Sequence, residues 1–198
     1  FHLAAIARRQ GDFPEAELRL FDAMKLDEQD LEIYLALGDL YLDWSLGRSA
    51  RPPSSEEPLT KPEAEESARE LASSRLRKAQ AGYREGLEEA MRQESYLVQQ
   101  SRQLIDTPTE ELKSAALLQS LKANIRVIRR RCAGFYYGLG RADAGLQFER
   151  SAEKHFAMAT RLAPRNKRYK DASIYWKKLI AKRNSQLDKR LKERKQRP

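Results

Sequence analysis

A chain of 198 residues with 34% charged residues, nine glycines and eight prolines is long enough for one domain or one short solenoid. Its few glycines, prolines and β-branched residues favour an all-α fold of long, solvated helices. One cysteine, Cys132, excludes an internal disulfide and a cysteine zinc site, and no run approaches the length of a membrane-spanning helix. The net charge of +9 is unevenly placed. Residues 161–198 hold 15 Lys/Arg against 3 Asp/Glu, a net of +12, whereas residues 1–160 hold 23 against 26, a net of −3. The basic character therefore belongs to the C-terminal fifth. Because the chain begins at Phe1 rather than Met, an N-terminal segment such as a signal peptide or lipid anchor is expected to precede it.

In chain order, residues 1–11 read as the end of a helix, and Gly11-Asp12-Phe13 as a turn. A second helix is predicted from Pro14 to Lys25, with Pro14 in the first turn, where it is tolerated. Ala16, Leu20 and Ala23 fall at helical spacing along it. A third helix opens at Asp30 and runs to about Leu46. It carries Tyr34-Leu-Ala-Leu-Gly-Asp-Leu-Tyr41, a large-x2-Leu-Gly-x2-Tyr pattern in which Gly38 lets a paired helix approach closely. Leu3, Ala4 and Ala7 stand 34 residues before Leu37, Gly38 and Tyr41, so residues 3–41 are self-similar at a period of 34.

Residues 47–62, with four prolines and several small polar residues, read as an exposed loop. A long helix is predicted from Pro62 to Ile105, with apolar or small residues at 64, 68, 71, 76, 79, 83, 87, 90 and 97. Within it, Ala79-x3-Tyr83 followed by Gly86 restores the second half of the repeat, so residues 47–75 form an inserted loop and helix extension. Asp106-Thr107-Pro108-Thr109-Glu110 reads as a turn with Thr109 as the next N-cap. The helix after it is predicted to span 110–138, striped by Leu117, Leu121, Ile125, Ile128, Cys132, Phe135 and Leu139, and to end at Gly138-Leu-Gly140. Ala133 and Tyr136 take the small and aromatic positions of a third repeat, completed by Ala152-x3-Phe156 and Pro164. Tyr169, Ala172, Ser173 and Trp176 give a fourth first-helix pattern, expected to be a terminal cap with a polar outer face. The basic end, residues 183–198, is expected to fray.

With these motifs in place, the chain resembles the tetratricopeptide repeat family over residues 1–45, 75–95 and 130–180. The resemblance implies one domain, 1–198: a right-handed superhelix of helix pairs with lengthened helices. It also implies a concave groove, lined by first helices, that holds a peptide or helix of a protein partner. On the motif register that groove would present Arg8, Arg9, Leu35, Asp39, Leu42, Asp43, Val127, Arg130, Arg131 and Tyr137. Arg130 and Arg131 would steer acidic groups, and Tyr34, Tyr41 and Tyr136 would hold the frame. Arginines in a groove hold carboxylates through paired hydrogen bonds; the bland reading of Arg129-Arg130-Arg131 is a solvated helix face.

Lys177, Lys178, Lys182, Arg183, Lys189 and Arg190 form a basic patch interleaved with Tyr169, Tyr175 and Trp176. It could take nucleic acid, an anionic surface or an acidic protein, or be no more than a solvated cap helix. The extended helices 62–138 are a further candidate surface, for oligomerisation or docking, with a self-contained hairpin as the alternative. An enzyme is not expected. His2, His155 and Cys132 lack metal-ligand spacing, no cofactor motif is present, and Gly138-x-Gly140 has no strand before it. The sequence therefore predicts a non-enzymatic interaction scaffold or assembly factor. The alternative is an RNA- or anionic-surface-associated helical protein acting through 161–198, and another is an envelope-associated protein gripping an extracytoplasmic partner. Cytoplasm and periplasm both remain open.

Overall fold

The computed structural model describes the backbone of residues 1–47, 61–106 and 111–195, and their side chains except at 61–64, 111–114 and 188–195. The described residues form seven helices and no strand: α1 (His2–Gln10), α2 (Phe13–Leu26), α3 (Leu31–Ser45), α4 (Lys61–Asp106), α5 (Glu111–Gly145), α6 (Glu149–Leu162) and α7 (Lys167–Lys195). The fold is all-α, as composition implies. The Pro-rich loop from 48 to 60 and the cap at Thr109 lie outside the described residues.

Local chemistry sets the early turns. Gly11 takes a left-handed conformation at φ 79°, and the Asp12 N–H reaches back to the Ala7 carbonyl at 2.9 Å, which closes α1. Asp12 then caps α2 by accepting from the Glu15 N–H at 3.2 Å, and Asp30 caps α3 by accepting from the Glu32 N–H at 2.9 Å. The α5–α6 turn does without glycine. Gln147 stands at φ 64°, and the Phe148 N–H bonds the Asp143 carbonyl at 2.8 Å.

The helices pack chiefly on their neighbours in sequence, and α3 also meets α5. α3 is the centre of this arrangement. Leu31, Ile33, Leu37, Gly38, Leu40, Tyr41 and Leu42 are all buried, so it is covered on most of its circumference. α1 is covered on one side only: Ala4 and Ala7 are buried, whereas Leu3 is 62% exposed although it shares the register of buried Leu37.

Close approach between helices rests on glycines facing aromatic rings. The ring of Tyr83, from α4, sits between α3 and α5; a Cβ on Gly38 or on Gly138 would lie 2.3 Å from it. Gly140 likewise faces the ring of Phe156, from α6, at 2.8 Å. This corrects one boundary. The Gly138-Leu-Gly140 segment does not end α5, which continues for more than a turn to Gly145. These glycines remove side chains where neighbouring rings need the space, and their backbone stays helical.

α4 has 46 residues, about 69 Å of helix at 1.5 Å per residue. Its middle, with Leu76, Ala79, Tyr83 and Ala90 buried, packs in the body. Beyond that body α4 and α5 run on as an arm. Leu121 and Ile125 are buried there, and Tyr96, Ile105 and Leu117 are 61%, 65% and 51% exposed. α7 packs its first half on α6, with Trp176 stacked on Phe156 at 6.2 Å between centroids. Residues 181–187 are exposed throughout. The segment expected to fray from 183 is helical to Lys195. Its Lys, Arg, Gln, Leu and Glu residues are good helix formers, and cations near a helix C-terminus favour the macrodipole. No helix among the described residues is long and apolar enough to cross a membrane.

Candidate functional site

An open groove of about 680 Å³ is lined by α1, α3, α5 and the start of α7, with Tyr83 of α4 in its floor. Small residues, Ala4, Ala36, Gly134 and Gly138, keep that floor low. The polar groups above it are arranged in pairs. Arg8 of α1 reaches Asp43 of α3, Nε at 2.9 Å and Nη2 at 2.5 Å from the same oxygen. Arg141 of α5 stands 3.5 Å from Asp39 of α3. Arg131 of α5 stands 3.1 Å from Glu32 of α3. The groove walls are thus pinned together by arginines facing carboxylates, and the Arg8–Asp43 pair is partly buried, where water screens it less.

Tyr83 links this surface to the core. Its ring is 1% exposed between the two glycines, and its hydroxyl donates to Asp39 at 2.7 Å. Burial, then the Asp39 carboxylate, pushes the Tyr83 hydroxyl well above its ordinary pKa, so it remains a donor. At the far end of the groove, Arg168 of α7 donates to the Tyr137 hydroxyl at 3.0 Å and lies 5.0 Å over the Tyr137 ring. Tyr137 in turn stacks on Tyr169 at 4.8 Å.

Past that point the surface changes character. A second cleft, about 690 Å³, is walled by Leu42, Leu46, Leu76, Phe156, Tyr175 and Trp176 and shares Tyr137, Arg141 and Arg168 with the groove. The two are therefore contiguous, polar at one end and apolar at the other.

The expected groove residues distribute as follows. Arg8, Leu35, Asp39, Asp43 and Tyr137 all line the groove. Arg9 lines a neighbouring depression with Ala5, Arg8, Phe13 and Asp43. Leu42 is 3% exposed and forms a wall of the apolar cleft. Arg131 is tied to Glu32 at the groove edge, and Arg130 and Val127 are exposed on α5 outside the groove lining. Three contributors were not expected. Arg141 falls beyond Gly138-Leu-Gly140, where the sequence predicts the end of α5. Arg168 is counted with the basic end in the sequence. Tyr83 reads as a core aromatic, and no sequence signal tells that its hydroxyl reaches through to Asp39.

The frame tyrosines each have a hydrogen bond or ring partner. Tyr34 donates to the Glu28 carbonyl at 3.0 Å, Tyr41 donates to Glu17, and Tyr136 lies 6.1 Å from the His155 ring. Of the basic patch, Lys177, Lys178 and Lys182 are exposed on α7 and Arg183 pairs with Glu149. Lys189 and Arg190 are on α7, with side chains outside the described residues.

A separate polar cluster joins α4, α5 and α6. Asp143, 1% exposed, accepts from Gln80 and lies 2.7 Å from the His155 ring nitrogen Nδ1. Burial pushes its carboxyl up, but hydrogen bonds from His155, Ser151 and Gln80 outweigh this and hold its pKa below the ordinary value. Among the described residues no group of three or more His, Cys, Asp or Glu side chains is placed to share a metal ion. Comparison with models of known protein families, with curated proteins and with solved structures returned no match.

Proposed function

We propose that the chain is a non-enzymatic interaction scaffold of the tetratricopeptide type, which buries a segment of a protein partner in the groove of α1, α3, α5 and α7. One observation carries this reading: the first helices of three successive pairs, and the terminal helix, contribute side chains to one continuous open surface. The 34-residue self-similarity of residues 3–41 supports the same stacking. Arg8, Asp39, Asp43 and Arg141 supply hydrogen-bonding groups of both signs, suited to the backbone and polar side chains of an extended or helical segment. The small floor residues leave room for it.

The test compares the intact chain with the double variant Ala5→Trp, Asp43→Lys. Ala5 is exposed and lines the groove, so the indole fills it without entering the core. Asp43→Lys sets two cations face to face at Arg8. Both forms are checked for equal helicity and used to capture partners from the source cell after nuclease treatment. A defined protein kept by the parent and lost by the variant supports the reading. A catch that both forms retain equally contradicts it.

A second reading rests on the exposed Lys177, Lys178 and Lys182 beside Tyr175 on α7. Here α7 would bind RNA or another anionic surface. It requires binding that falls steeply with salt and is abolished by truncation after Leu179; groove binding is salt-tolerant by comparison.

A further inference from the structure

The groove does not end at Tyr137. It opens into the apolar cleft, whose volume of about 690 Å³ sits within the roughly 300–1,000 Å³ common for ligand sites. Two large apolar side chains stand open to water at its mouth, Leu46 at 61% and Tyr175 at 60% exposure. Leu76 and Leu42 close its interior. The charges around it are unequal. Arg141 and Arg168 both line it, against the single acid Asp171 among its lining residues. Arg141 already faces Asp39. Arg168 is held against Tyr137 by a hydrogen bond and a ring contact, and among the described residues no carboxylate lies within ion-pair distance of it. Its guanidinium is therefore oriented, exposed and without an ion-pair partner among the described residues at the junction of the polar and apolar surfaces, and with Nε engaged by Tyr137 its Nη1/Nη2 edge offers paired donors to a carboxylate.

We propose that this cleft is the anchor site for an acidic, amphipathic peptide segment of the protein partner. An apolar side chain enters between Leu42, Leu76 and Trp176, and a carboxylate within a turn of it pairs with Arg168. The remaining chain continues along the groove past Arg141 and Asp39. The proposal deepens the groove reading and rests on it. It commits to an acidic peptide because the cleft is walled mainly by aliphatic and aromatic side chains, with an oriented cation at its edge. Tyr137 stacks on Tyr169 and Phe156 on Trp176, so among these rings only Tyr175, which meets Trp176 edge-on, keeps an open face for a base.

The probe is a display library of random twelve-residue peptides selected against the full chain. Recovered peptides are synthesised with a fluorescent label and titrated against the parent, Leu46→Glu, Arg168→Glu and the groove variant Ala5→Trp. The expected result is enrichment of an apolar residue with Asp or Glu within four positions, and affinity at least tenfold weaker for Leu46→Glu and for Arg168→Glu. Exchange of the peptide acid for Lys is expected to restore binding to Arg168→Glu, which a merely unfolded variant would not allow. Peptides that bind the parent, are lost on Ala5→Trp and ignore both cleft variants would overturn the anchor site while leaving the groove reading intact. Peptides enriched in Lys or Arg beside the apolar residue would overturn the acidic assignment. Recovery of no peptide would overturn both, as would a twenty-nucleotide RNA that binds through Arg168 when no peptide does.

Discussion

Single atoms decide the packing around Tyr83. A methyl group at Gly138 would meet its ring at 2.3 Å, and both the ring and the facing backbone are held. Gly138→Ala is expected to destabilise the fold by about 1–3 kcal/mol by overpacking, despite the gain in helix propensity. Chemical denaturation checks this. Tyr83→Phe keeps the ring and removes only the bond to Asp39, so a loss near 1 kcal/mol is expected. Asp143 adds a pH dependence of known sign. Its pKa is held down in the folded state, so its contribution is present above the unfolded carboxylate pKa and is lost as pH falls through the lower folded value. Asp143→Asn is expected to lower stability at pH 7 and to flatten the acid limb of the stability curve. An acid limb identical to that of the parent would show that Asp143 is not the group titrating. The sequence made Ala133, Phe135, Ala152 and Phe156 legible as core, because helical spacing reports burial directly. It could not show Asp143, His155 and Gln80 as one cluster, since their contact depends on how three helices sit against one another.

At the scale of elements, the sequence anticipated helices α1 to α3 closely, because Gly11, Asp12 and Asp30 are local signals that act through their own backbone and side-chain bonds. It misjudged the end of α5, because a glycine that makes room for a ring looks, in sequence, like a glycine that ends a helix. The real end is at Gly145, and the left-handed position two residues beyond it is not a glycine. Gln147 bears the strain of φ 64°, which costs an L-residue roughly 1–2 kcal/mol. Gln147→Gly is therefore expected to stabilise the protein by about 0.5–1 kcal/mol, a rise of a few degrees in Tm for a domain of this size. An unchanged or lower Tm would argue against this turn. Cys132, at 4% exposure on the inner face of α5, has its thiol pushed up to about 11 chiefly by burial. It is expected to resist thiol reagents at pH 8 in the folded protein and to react promptly in denaturant. Fast labelling of the native chain would show that α5 does not pack as described.

The molecule as a whole offers three surfaces: the groove with its apolar cleft, the α4–α5 arm, and the exposed half of α7. The groove was partly legible from motif register, which placed Arg8, Leu35, Asp39, Asp43 and Tyr137 in it. The same register put Arg130 there; it lies on the same face as Gly134, one turn on, but the lining of the groove on the long helix α5 begins only at Gly134. The cleft was not legible at all. It is built from Leu46 just past the end of α3, Leu76 on α4 and Tyr175 on α7, which lie far apart in sequence. The measurement that separates the three surfaces most directly is photo-cross-linking in the source cell, with a photoreactive residue placed in turn at Ala5, Leu46, Lys178 and Leu117. All four positions are exposed. The account predicts one protein adduct shared by the Ala5 and Leu46 probes and absent from Lys178 and Leu117. An adduct formed from Lys178 or Leu117 alone would contradict it and move the binding surface to α7 or to the arm.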